Sequence, residues 1–126
     1  MVKTAHIVIF KDGKVLGVSR KDDHTDFGLP GGKMEDSDMG NPEFTAIREC
    51  KEETGIDVFS LELIFAIHKN GHMGYTYLAN YITDKIDHTE PHVVEWLPFE
   101  TLIKGKFGKY NALVAESLRD MGVKFQ

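Results

Sequence analysis

An α/β architecture, with a mixed β-sheet packed between helices, is the fold class this sequence predicts, and three observations carry it. Turn signals and apolar runs occur along the chain in the order hairpin, helix, hairpin, strand, helix. The helical segment between the hairpins carries both a start and a stop signal. Finally, 126 residues, 41% of them hydrophobic, supply one core and are too few for two independent domains. Residues 1–126 are therefore read as a single domain.

The elements follow in order. Ala5–Phe10 and Lys14–Ser19 are apolar or β-branched runs separated by Lys11-Asp12-Gly13, whose Asp-Gly favours a tight hairpin, so these two strands are expected to pair. Arg20–Asp26 is polar, and Phe27-Gly28-Leu29-Pro30-Gly31-Gly32 then demands unusual backbone geometry. Asn41-Pro42-Glu43 supplies an N-cap, a proline at the first helical position and an early acid. A helix from about Pro42 to Glu53 follows, with Phe44, Ile47 and Cys50 as its apolar side. Leu61–His68 and Tyr75–Ile82 flank Lys69-Asn70-Gly71 and form a second hairpin. Val93–Leu97 reads as a strand and Pro98–Lys104 as a helical turn. A last helix, Tyr110–Met121, carries Leu113, Val114 and Leu118 and is stopped by Gly122.

Charge and cysteine usage narrow the function classes. A net charge of -5 and a pI near 5.6 argue against a nucleic-acid polymer as partner, because that backbone calls for a basic surface. A small phosphorylated ligand fits if a metal supplies positive charge locally. The single cysteine leaves no internal disulfide and no cysteine-based zinc site. The apolar start, Met1–Phe10, is short and runs into a turn, so it reads as a strand and not as a signal peptide or membrane span. A reducing cytosol is the expected compartment.

Chemistry is signalled by Arg48-Glu49-Cys50-Lys51-Glu52-Glu53-Thr54-Gly55. At about 100° per residue, Glu49, Glu52 and Glu53 share one sector of the helix surface. Neighbouring carboxylates ~6 Å apart repel by roughly 2–3 kcal/mol at an effective dielectric near 20. Thr54-Gly55 reads as the helix stop, which puts two of the three where the dipole disfavours anions. An ordinary solvated face is the bland explanation for an isolated Glu-x-x-Glu-Glu. Here the neighbouring Gly-Gly loop and Arg48 favour a bound hard cation such as Mg²⁺, or Mn²⁺, which takes carboxylate oxygens.

Gly31-Gly32-Lys33-Met34-Glu35, followed by Arg48 to Ile56, resembles the Nudix box, GX5EX7REUXEEXGU with U a bulky apolar residue. The box spans about 32–56 and departs from the pattern in its first half. Asp38 stands where the family has Glu, and the stretch to Arg48 is two residues longer, which places an insertion near Met39-Gly40. The resemblance, MutT-like in character, implies a Nudix α/β/α sandwich and hydrolysis of a nucleoside diphosphate linked to another moiety. It also implies Glu49 and Glu53 as principal metal ligands, Glu52 as a further ligand or the base, and the Gly32 carbonyl as a further ligand. Arg48 would orient a glutamate or contact phosphate, and the base is left open between Glu49 and Glu52.

Weaker signals lie outside the box. Arg20 and Phe27 are candidates for phosphate contact and ring stacking. Asn111, in a stretch similar to one in which MutT-type proteins read a purine edge, offers a donor and an acceptor together, although a helix N-cap would use the same residue. Glu90 and Glu95 are candidates for an additional metal contact or base. The pairs His68/His72 and His88/His92 sit near turns and read as exposed loop or strand histidines. Cys50 reads as a small core residue. The resulting expectation is a nucleoside triphosphate pyrophosphohydrolase releasing a monophosphate and pyrophosphate, monomeric or homodimeric. Hydrolysis of a nucleotide sugar or dinucleoside polyphosphate, or nucleotide sensing without cleavage, are the alternatives.

Overall fold

A computed structural model describes residues 1–126 and contains two four-stranded sheets with helices outside them. The strands are β1 (Val2–Val8), β2 (Phe10–Lys11), β3 (Lys14–Ser19), β4 (Phe27–Gly28), β5 (Gly31–Lys33), β6 (Val58–Lys69), β7 (His72–Tyr81) and β8 (Val94–Leu97). The helices are α1 (Pro42–Thr54), α2 (Phe99–Ile103) and α3 (Gly108–Asp120), with a single 3₁₀ turn at Asp36–Asp38. The first sheet runs β5-β1-β7-β6 and is mixed, with β1 parallel to β7 and the other pairs antiparallel. In the second, β3 pairs with β2, β4 and β8. This is the sandwich arrangement the sequence predicts.

The expected first hairpin is the main correction. Only Phe10–Lys11 pairs with Lys14–Val15, while Val2–Val8 belongs to the other sheet. Asp12 and Gly13 do turn the chain, at φ of 50° and 79°, as Asp-Gly predicts. What the local pattern cannot reveal is that the strand switches sheets at Ile9, because a fully buried run shows no alternation. Ala5, Ile7 and Ile9 point into the core under α1, and Val8 into the core under α2 and α3. The second hairpin is as expected, with Asn70 and Gly71 at φ of 53° and 74°, and its strands are longer than the apolar runs suggest.

Helix α1 is the element that positions the site. The Asn41 side chain accepts a hydrogen bond from the Glu43 amide at 2.9 Å, Pro42 opens the helix, and Gly55 closes it at φ 79°. Its inward face is Ala46–Cys50–Thr54 at i, i+4 and i+8, flanked by Thr45, whereas Phe44, expected inside, is 44% exposed. Burying that stripe turns Arg48, Glu49 and Glu53 toward β5, with Glu53 reaching the cleft and Glu52 left about half exposed beside Arg48.

Candidate active site

The Gly-Gly loop and the glutamate face of α1 meet around one cation. Asp38, in the 3₁₀ turn, is 2% exposed and accepts from Arg48 Nε and Nη2, both at 2.9 Å, from Thr45 Oγ1 at 2.8 Å and from the Glu35 amide at 2.9 Å. The Arg48 guanidinium holds this carboxyl far below the ordinary carboxylate range. Arg48 also reaches Glu49 Oε1 at 2.8 Å, Glu52 Oε2 at 3.3 Å and the Lys33 carbonyl at 3.1 Å. Asp38, which stands where the Nudix pattern has Glu and just ahead of the two-residue insertion, is thus the anchor of Arg48. Met39 and Gly40 adopt positive φ of 54° and 73° beyond it and are exposed, so the extra length bulges outward.

Glu49 and Glu53 press against the glycine loop. A Cβ on Gly32 would lie 2.6 Å from the Glu49 carboxyl carbon, so the absent side chain is what lets carboxylate and main chain lie together. Glu53 Oε1 accepts from the Gly31 amide at 2.7 Å. Burial nevertheless pushes the Glu53 carboxyl up to about 8, with repulsion from Glu49, Glu90 and Glu52 adding to it. Burial also raises Glu49, against the pull of Arg48. No three acidic, imidazole or thiol side chains converge to metal-ligand distance. Each carboxylate has taken the nearest local donor: Glu49 leans on Arg48, Glu53 on Gly31, and Glu52 is about half exposed.

Beside Glu53 opens a cleft of about 970 Å³, lined by side chains from both sheets and α3. Its floor is one face of the first sheet, on which strand pairing sets His6 beside Thr76 and Thr4 beside Gly74, next to Ile67 of β6. Its roof is α3 and the turn before it, with Phe107, Tyr110, Asn111 and Leu113. The Tyr110 hydroxyl pairs with Thr76 Oγ1. The His6 ring sits against Gly31 and 6.5 Å from the Tyr110 ring, and burial lowers its pKa to about 4, which keeps it neutral at pH 7.

The structure brings some of the outlying candidates here and removes others. Arg20 lines the cleft with its guanidinium held by Asp22, twice at 3.0 Å. Asn111 lines it too; it lies inside the first turn of α3, not at the N-cap, and Nδ2 donates to the Leu102 carbonyl at 3.3 Å. Phe27 does not face the cleft: it is 7% exposed and packs in the core with Leu29 and Phe99, because β4 turns it inward. Glu90 is close enough to perturb Glu53, while Glu95 is exposed on β8 opposite Gly17. His92 is the clearest surprise, 4% exposed with Nε2 on the Glu53 carbonyl at 2.7 Å. His68 and His72 are exposed as expected, and Cys50 is fully buried. Tyr110, Thr76 and His6 carried no local signal that could have found them, and His92, expected to be exposed, is buried, since tertiary pairing alone assembles them.

The NUDIX domain family model matches residues 2–118, and the chain belongs to this family of Nudix hydrolases. No curated protein matches it in sequence. Among solved structures, it is similar to a MutT NUDIX hydrolase from Burkholderia pseudomallei, with a TM-score of 0.73 and 24% identity over 92% of this chain and 96% of that one. It is also similar to an ADP-ribose pyrophosphatase from Streptococcus suis, with a TM-score of 0.78 and 20% identity over 99% and 96%. A third is the NUDIX domain of Shewanella oneidensis NrtR complexed with ADP ribose, with a TM-score of 0.74 and 20% identity over 96% and 88%. At these identities the likeness speaks for the fold. No helix is long and apolar enough to cross a membrane.

Proposed function

We propose that this protein is a divalent-metal-dependent pyrophosphohydrolase acting on a nucleoside diphosphate linked to another moiety. The favoured substrate is a nucleoside triphosphate, split to a monophosphate and pyrophosphate in a reducing cytosol. One observation carries the reading: Glu53, one turn beyond Glu49 on α1, lines a cleft whose far side is aromatic and polar, so an anhydride and a nucleoside can be held in one span.

The donor set fits a hard cation. Burial first, and then repulsion from Glu49, Glu90 and Glu52, push Glu53 up to about 8, and Arg48, whose strongest contacts are to Asp38 and Glu49, does not reach it. Glu49, Glu53, Glu52 and the Gly32 carbonyl would hold Mg²⁺ or Mn²⁺. When bound, the metal supplies charge neutralisation at the phosphates and a more acidic water. The chain's own residues do the rest. Asp38 fixes Arg48, and Arg48 fixes Glu49. Water adds to a phosphorus atom, the anhydride P–O bond breaks, and the water proton passes to the carboxylate of Glu49 or Glu52. Arg20 contacts phosphate by exchanging Asp22 for it, and Asn111 addresses the base from the roof of the cleft.

The size of the cleft supports a second reading, a nucleotide sugar such as ADP-ribose, because about 970 Å³ is at the upper end of the ~300–1,000 Å³ usual for ligand sites. The test for both is incubation of pure protein and Mg²⁺ with a nucleotide panel, identifying the products. Release of pyrophosphate supports the first reading, and of two monophosphates the second. Nucleotides that raise the melting temperature yet stay uncleaved would indicate a sensor and overturn both.

A further inference from the structure

The C-terminal end of α1 is held by a strap that the family box does not include. Residues 87–92 cross it: the Asp87 amide donates to the Thr54 carbonyl at 2.8 Å, and Gly55 has no room for a Cβ against the Asp87 carbonyl. His92 ends the strap, 4% exposed. Its Nε2 lies 2.7 Å from the Glu53 carbonyl oxygen, and since a carbonyl only accepts, this nitrogen carries the hydrogen. Its Nδ1 faces Glu90 Oε2 at 3.2 Å, and Glu90 in turn faces Lys21 Nζ at 3.7 Å. The His88 ring stacks on His92 at 4.6 Å with planes 6° apart, which fixes the imidazole plane from the other side.

The Glu53 carbonyl is among the last four of α1, which the helix itself leaves without partners. Glu53 is therefore gripped at two points, its carboxyl by the Gly31 amide and its main chain by His92. We propose that His92, braced by His88, is a positioning residue that sets the Glu53 carboxylate for cation binding, an inference that rests on the metal-dependent reading above. A ring nitrogen is suited to this task because the His88 stack fixes the imidazole plane and with it the direction of the Nε2–H, whereas water at the same carbonyl would hold it with no fixed direction.

The test compares His92→Phe, which keeps a stacking ring and loses the donor, with His92→Gln, which restores an N–H donor. Three quantities are measured: the Mn²⁺ dissociation constant by calorimetry, the Gly31 amide proton shift by NMR without metal, and kcat and KM at saturating Mg²⁺. His92→Phe is expected to weaken Mn²⁺ binding and lower kcat by about 10-fold each, within the ~10–100-fold usual for groups that orient ligands, with nucleotide KM unchanged. The Gly31 amide should move, and His92→Gln should recover most of the loss. Unchanged Mn²⁺ affinity and an unmoved Gly31 amide in folded His92→Phe would overturn the proposal, as would a loss confined to thermal stability. Should that variant not fold, His88→Leu, which releases the stack and leaves the hydrogen bond, is expected to show the same changes at a few-fold size, and no change overturns the bracing. If wild-type protein takes up no Mn²⁺, the metal reading fails, and the Gly31 shift alone still decides whether His92 places Glu53.

Discussion

Glu53 and Tyr110 line the same cleft, yet the walls they belong to are built differently. The Glu53 wall is a run of charges within one helix, held by Arg48 and Asp38 and crowded enough that burial and repulsion push Glu53 up to about 8. The Tyr110 wall draws its residues from β1, β6, β7 and α3; it carries no carboxylate, and Lys69 and Lys109 flank the uncharged Tyr110. The first wall depends on electrostatic balance and the second on shape and hydrogen-bond complementarity. Substitutions on the first should therefore damage turnover or folding broadly, and those on the second should alter which substrate is preferred.

The largest expected effect is on the charged wall. Glu53→Gln keeps the shape and removes one carboxylate oxygen charge. If the carboxylates hold a cation worth several kcal/mol to the transition state, kcat should fall by on the order of 10²–10⁴. Steady-state turnover at saturating Mg²⁺ measures it, and undiminished kcat would remove Glu53 from the chemistry. Arg48→Ala tests the same wall through stability. It strands Asp38, 2% exposed, without its cation, and breaking such a pair costs about 3–5 kcal/mol. A urea midpoint that barely shifts would show that Asp38 is satisfied by Thr45 and the Glu35 amide alone.

This contrast also explains what could be read in advance. The box lies within 25 residues, and its capping, its glycine stop and its glutamate spacing are local properties, so α1 and Glu49, Glu52 and Glu53 were legible from composition and period. Asn70-Gly71 and Asp12-Gly13 were legible for the same reason. The sheet switch at Ile9, the burial of Phe27 and the turn of His92 onto Glu53 depend on which distant strand lies alongside, and no local pattern encodes that. Arg20 and Asn111 fall between: their chemistry is visible in the residue type, while their place in the cleft comes only from pairing of β3 with β8 and packing of α3 on β6.

On the Tyr110 wall the expected effects are smaller. Burial, and then the neighbouring His72, hold His6 at a pKa of about 4 against an ordinary value of 6.5. Because the folded value is the lower one, the unfolded chain takes up a proton first as the pH falls. The neutral-His6 contribution is thus complete above pH 6.5 and is lost progressively from there down to about 4. His6→Gln should flatten the decline of the urea midpoint across that window while leaving the midpoint at pH 8 within about 1 kcal/mol of wild type. Equal slopes for the two proteins would show that His6 is solvated in the folded state.

Asn111→Ala sharpens the comparison most directly, because it should change selectivity with little change in fold. The amide nitrogen is engaged with the Leu102 carbonyl, which also accepts from the Gly105 amide at 3.2 Å, so its loss removes one hydrogen bond without stranding an acceptor and costs about 0.5–1.5 kcal/mol of stability. The carbonyl end of the same amide is free of any such partner and borders the cleft, where an acceptor can address an exocyclic amino group or ring N–H of a purine. Purine turnover, as kcat/KM, should fall by about 10-fold more than pyrimidine turnover, since a hydrogen bond to a neutral partner is worth about 0.5–1.5 kcal/mol. If both fall together, Asn111 serves only to tie α3 to the α2 end through Leu102, and base reading must come from Tyr110, Phe107 or the His6 edge. A fall in kcat at constant KM would place the defect on the Glu53 wall, and the two walls would then be coupled through α3 rather than independent.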